Sequence, residues 1–448
     1  MKKIILITLL FFGFSNLCKS QSFGFDWIIT EKQPMPMPVS NNAVTGVEIN
    51  GNNYVYSFGG IDSTKIWSGI TKKAFRYDVT NDLWNPLPDL PDTLGKIASG
   101  ASTIDSIIYI IGGYYVFANN NEISSNRVHR FNTLTNTYLS DGTPIPVAID
   151  DHVQAVYKDS LIFIVTGWSN TTNVPNVQIY DPANDNWLTG TATPNNNTYK
   201  AFGATGTILG DTLYYHGGAS TGFNFPIQNT LRKGYINPLN PTQITWFTST
   251  TPFSTYRAVA FPFGSNEVCF LGGSSKTYNF NGIAYNGSGG VSPRNKLSSY
   301  DIFSKQVTDS IPFVDDLGMP FQGSIPMDLR GVYFNLNFGL FVCGGMLENQ
   351  IVSNKTFHIT YAVLDAIEEN NTISFKTFPN PTHQAVKLVF EDAQKKELQL
   401  TDLNGKIVFK TTTTANEVNL DVSNYPKGIY LLSVISDKKS GTQKIVVQ

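Results

Sequence analysis

Six positions along the chain share one place in a repeated pattern: Asn42, Lys96, His152, Lys200, Arg257 and Gln322. Each is read as the start of an apolar segment that leads into a glycine pair, and four of the six are basic or become so on protonation. If the repeat is rotational, these side chains converge on one axis. Like charges so placed need water, acids or a bound anion to offset them. The pattern therefore points to an anion at the mouth of a channel, an acidic sugar first, gripped best by the planar fork of Arg257. Tyr114, Tyr115 and Trp168 directly follow glycine pairs and are expected to border the same face. Flat rings beside hydrogen-bonding groups are what sugars bind. The structural alternative is that the basic residues pair with Asp150, Asp151 or backbone carbonyls.

For catalysis the chain offers less. Its histidines are His129, His152, His216, His358 and His383, and none stands at metal-ligand spacing from another His or a Cys. There is no phosphate loop or H-E-x-x-H, so no metal or cofactor is expected and no catalytic residue is assigned. His152 with Asp150 or Asp151 is the pair an acid–base mechanism would use. Cys269 and Cys343 each sit in an apolar run before Gly-Gly and read as buried thiols. With 448 residues, 37 Gly, 13% aromatic and 15% charged residues, the totals fit a β-rich protein with many turns. A formal net charge of −2 gives no reason to expect nucleic acid or a membrane surface as partner.

The elements that must position these residues repeat. Apolar runs ending at Gly59-Gly60, Gly112-Gly113, Thr166-Gly167, Gly217-Gly218, Gly272-Gly273 and Gly344-Gly345 recur at steps of 51 to 55 residues, with one step of 72. An aromatic, a short polar turn and a second aromatic follow: Tyr77 to Trp84, Phe131 to Tyr138 and Tyr180 to Trp187. Each unit is expected to be a four-stranded antiparallel blade that cannot bury both faces alone, so the blades close into a ring. These residues resemble the Kelch repeat family over roughly 24–361, which implies an all-β, six-bladed propeller. Departures are Thr166 in place of Gly and insertions near Tyr278–Arg294 and Val314–Leu329. The sixth unit lacks its outer aromatic. Trp27, in a strand-like stretch ahead of the first repeat, is expected to supply it and clasp the ring. An exported six-bladed Kelch propeller of the N-acetylneuraminate epimerase (mutarotase) kind gives the enzyme alternative to a glycan- or protein-binding module.

Both ends carry other signals. Lys2, Lys3 and the apolar run Ile4 to Phe14 read as a signal peptide over 1–20, leaving a propeller over 21–361 and a polar linker over 362–373. From 374 the chain turns to short alternating segments, a small β-sandwich. Pro379, Asn380 and Pro381, the turn with Gly405, Gly428 with Tyr430, and Lys444 resemble, in order, the sorting domain of the Bacteroidota type IX secretion system. That resemblance implies passage through the periplasm, handling by the type IX machinery, and a place on the outer-membrane surface or outside. The triplets starting at Asp105, Asp159, Asp211 and Asp309 read as tight turns and resemble the O-glycosylation acceptor of those bacteria.

Overall fold

The computed structural model describes residues 25–363, 373–391, 393–402, 406–436 and 439–448, without side chains at 25, 26, 362, 363 and 439. The signal segment, most of the linker and the turn holding Gly405 lie outside these residues. The chain divides into two compact units, 1–363 and 364–448. The last strand of the first unit, Thr356–Val363, takes in Ala362 and Val363, which the sequence assigned to the linker.

The first unit is six antiparallel blades. Their innermost strands are Ala43–Ile49, Ile97–Ile104, Val153–Tyr157, Thr205–Leu209, Val259–Phe263 and Tyr333–Asn335, defining blades 1 to 6. The second strand of each blade is the apolar run of the repeat. It is buried on both faces, so it needs no alternation. Where it ends, the chain adopts left-handed φ, 62° at Gly59 and 66° at Gly112. Thr166 takes the same conformation at φ 49°. Its hydroxyl accepts from Ala201 N at 3.0 Å and donates to Val174 O at 3.0 Å, bonds that glycine could not make.

Blade 6 is completed from the other end of the chain. Strand Phe25–Lys32 pairs antiparallel with Thr356–Val363, placing Trp27 opposite Tyr361. Trp27 is 2% exposed and packs against Phe261, Phe263 and Tyr361. The segment after blade 5 adds Phe313–Val314 parallel to the same strand. The ring is closed by the clasp that the missing sixth aromatic implied. Cys269 and Cys343 are buried free thiols.

The second unit stacks sheet Phe375–Phe378, Ala385–Phe390, Glu417–Asp421 on sheet Ile407–Thr413, Lys396–Asp402, Gly428–Ser436, Lys439–Val447. Val386, Leu388, Leu398, Leu400, Leu432, Val434 and Ile445 fill the space between. Four sorting residues meet at its last strand. The Asn380 amide, between Pro379 and Pro381, donates to Lys444 O at 2.6 Å and accepts from Val446 N at 2.9 Å. Tyr430, two residues into the strand that Gly428 begins, is buried and pairs with Ile445. No helix among the described residues is long and apolar enough to cross a membrane.

Candidate functional site

Around the axis, one residue per blade takes left-handed φ at or just ahead of the start of the inner strand: Asn41, Ala98, Asp151, Gly203, Arg257 and Asp328. Backbone bonds join them into a circle. Asn41 N donates to Asp328 O (3.0 Å), Ala98 N to Asn41 O (3.4 Å) and Asp151 N to Ala98 O (3.2 Å). Gly203 N donates to Asp151 O (2.8 Å), Arg257 N to Gly203 O (2.8 Å), and Leu329 N to Arg257 O (3.0 Å) closes it. The true equivalents of the repeat are these six. Of the positions chosen from sequence only Arg257 is among them. His152 lies one residue after its ring position, Asn42 also one after, Lys96 two before, Lys200 three before and Gln322 six before.

That shift changes the chemistry of the axis. Arg257 is 1% exposed. Its Nε and Nη2 donate to Asp151 (3.2 and 2.6 Å) and its Nη1 to Asp328 (3.0 Å). Tyr256 and Tyr278 cover its faces at 5.2 and 5.6 Å. Burial opposes the charge of Arg257, but Asp151, Tyr256, Asp328 and Tyr114 together outweigh it and hold its pKa well above the ordinary value. Arg330 adds a bond to His152 O (2.7 Å) and lies 3.5 Å from Asp151. Ser40 and Asn41 satisfy Asp328 (2.5 and 3.3 Å). Arg257 is therefore committed to carboxylates of its own chain.

The other expected ligand residues separate. Lys96 does not face the mouth. Its side chain is sealed within blade 2, with Nζ 3.1 Å from Asp92, and burial lowers its pKa against the pull of that carboxylate. Tyr115 belongs to the same cluster, donating to Asp92 at 2.9 Å, and His129 bridges Asp92 (2.7 Å) to Asp141 (2.9 Å). Burial raises the Asp92 carboxyl, but the His129 bond and the Lys96 charge outweigh it and hold it low. Lys200 is half-buried in a turn and Gln322 is exposed; neither lines the two axial cavities. His152 lines the channel beneath the ring, a space of about 330 Å³. Its Nε2 lies 3.1 Å from Gln154 Oε1. Burial, then the charge of Arg330, pushes its pKa down to about 3, so it is no cation at neutral pH.

Tyr114 and Trp168 do meet Arg257, at a cleft of about 160 Å³ on the glycine end of the channel. Its walls include Phe202, Phe225 and Tyr285, which sequence reasoning missed. Trp168, Phe202 and Phe225 pack edge to face at 5.4 to 5.6 Å, and Phe225 meets Tyr285 at 4.7 Å. The polar lining is Glu122, Asp150, Asp151, Asn170, Asn279 and Arg257. Burial, reinforced by the charge of Asp151, raises the Asp150 carboxyl well above its ordinary value; Ser124 Oγ donates to it at 2.5 Å. Desolvation raises Glu122 at the rim. The cleft thus holds three carboxyls and one arginine, itself engaged by Asp151 and Asp328, in place of the expected basic ring.

The insertion within blade 5 builds one side of this cleft. Tyr278 is buried among Phe202, Tyr256, Met327 and Met346 of blades 4 to 6. Phe280 packs against Ile61, Ile97 and Tyr114 of blades 1 and 2. The insert therefore bridges the mouth and presents Asn279 and Tyr285 to the cleft. The 72-residue step was the available signal for it.

Comparison with known proteins agrees with this architecture. A Kelch motif matches residues 50–91, and a secretion system C-terminal sorting domain matches 376–448. The solved structure "Structure of YjhT" is similar with a TM-score of 0.56 at 15% identity, over 74% of this chain and 99% of that one. At that identity the likeness is one of fold. No curated protein matches the chain in sequence. The chain is a Kelch-type propeller with a type IX sorting tail, which directs export to the cell surface or outside.

Proposed function

We propose that this exported Kelch propeller is a binding module that takes a glycan end group in the cleft beside Tyr114 and Trp168. The observation that carries the reading is the cleft itself: aromatic rings beside carboxyl and amide groups in one lining. Rings cover the apolar face of a sugar, while carboxylates and amides bond its hydroxyls. Among the described residues its lining holds no cation besides Arg257, which Asp151 and Asp328 already engage, and this favours a neutral or cationic sugar over an acidic one. The test is calorimetry of residues 21–448 with glucose, glucosamine and glucuronate after a glycan-array screen. Trp168→Ala should weaken the preferred sugar about tenfold. Tightest binding to glucuronate, or binding indifferent to Trp168→Ala, overturns the reading. A protein ligand would appear as no sugar binding at all.

A mutarotase reading draws support from one observation, the raised carboxyl of Asp150 beside Asp151 in a cleft. His152 does not serve as its partner, being bonded to Gln154 beneath the ring. Anomer exchange followed by NMR, unchanged by added protein, rejects that activity.

A further inference from the structure

A second cleft, of about 540 Å³, opens beside blade 5. Lys276, just past Gly272-Gly273, stands on one side of it. Arg294 and Lys296, on the returning limb of the insertion, stand on another, and Asp309 of the outer strand lies below. Ser254 and Ser274 add hydroxyls. Three cations thus face one carboxylate.

Arg294 makes this more than a charged surface. Its side chain is 3% exposed and its guanidinium lies over Phe253, 4.5 Å from the ring centre. Nη2 donates to Asp309 and Ser298. Nη1 is buried with no hydrogen-bond partner among the described residues. A guanidinium carries five N–H donors in a fixed fork, and a buried donor left unpaired costs free energy. Asp309 receives Ser298 at 2.7 Å and Lys296 at 3.3 Å but makes no bond to Nη1. Lys276 is exposed and lines the same cleft.

We propose that this cleft binds an oxyanion, the sulfate, phosphate or carboxylate group of a ligand, with Arg294 Nη1 as its fixed donor and Lys276 and Lys296 as its flanking charges. Charge-assisted bonds from a preset arginine fork favour a tetrahedral or planar oxyanion over a spherical halide. The site is separate from the aromatic cleft and does not depend on sugar binding there. One insertion serves both: Asn279 and Tyr285 wall the first, Gly290 and Arg294 the second.

Titration of residues 21–448 with sodium sulfate, phosphate and acetate at constant ionic strength, chloride making up the balance, provides the test. Saturable binding of sulfate or phosphate is expected, weakened about tenfold by Lys276→Ala and further by Lys276→Ala with Lys296→Ala. Preference among the three salts identifies the source as a sulfate ester, a phosphate ester or a uronic-type carboxylate. Trp168→Ala should leave anion binding unchanged. No saturable binding, binding indifferent to the lysine variants, or loss of binding in Trp168→Ala would each overturn the proposal.

Discussion

Arg257 and Arg294 are both buried beside a carboxylate and both lie against aromatic rings, yet they have opposite prospects. Every nitrogen of Arg257 is bonded, to Asp151 and Asp328, inside a closed circle of backbone bonds. Arg294 engages one nitrogen, leaves another unpaired, and has two lysines for neighbours. The difference teaches that burial and charge do not by themselves mark a binding arginine. Unspent donors and an unbalanced local charge do.

The contrast breaks most sharply at the axis. Arg257→Ala should cost about 3–5 kcal/mol of unfolding free energy, because Asp151 and Asp328 are left buried without their cation. Denaturant titration showing a loss below about 1 kcal/mol would mean the network is solvated. The pH response comes next. His152 sits at about 3 in the folded chain against an ordinary 6.5. The unfolded chain therefore gains a proton between those values and the folded chain does not. Stability from this group is full above 6.5 and is lost as pH falls toward 3. Between pH 7 and about 4.5 the loss should be about 2–3 kcal/mol, and His152→Gln should flatten that arm; an unchanged acid profile would count against it.

Asp150 runs the other way. Its folded value is raised, so its carboxyl favours the folded state below the ordinary 3.8 and that advantage is lost as pH rises through the folded value. Asp150→Asn should stabilise the protein by about 1 kcal/mol at pH 8 and not at pH 4, as thermal melts at both pH values would read; equal effects at both would refute the assignment. Smallest is Lys276→Ala, which should stay within about 0.5 kcal/mol of the parent in denaturant melts, since the residue is exposed. A larger loss would make it part of the fold and not of a site.

The ring and its closure were legible because glycine pairs and aromatics recur at fixed distances, and because Trp27 filled the one missing place. The axis was not legible to the residue. Counting back from each glycine pair assumes joins of equal length, but Lys200 falls three residues short and Gln322 six. In a strand a slip of one residue turns a side chain to the other face, which separates His152 from Asp151. The acids that neutralise Arg257 come from blades 3 and 6, a pairing no local spacing encodes. Phe202, Phe225 and Tyr285 were equally hidden, since each looks like an ordinary apolar residue until blades 4 and 5 bring them together. The triplet at Asp309 shows the same limit. It falls within strand Val307–Ile311, and its carboxylate is paired to Arg294 and Lys296.

The pairing of Trp27 with Tyr361 also sets an order of events. The first strand of the propeller cannot find its partner until the last blade has been made, since the pairing joins the two ends of the unit. Joining such distant segments adds little entropic cost, because loop closure grows only with the logarithm of length. Delay matters more. Until strand Thr356–Val363 is available, Phe25–Lys32 waits as an unpaired edge with Trp27 exposed, the kind of surface that associates with other chains. For a protein that must leave the cell, the interval before the clasp shuts is the time when it is most open to aggregation and to handling by folding factors.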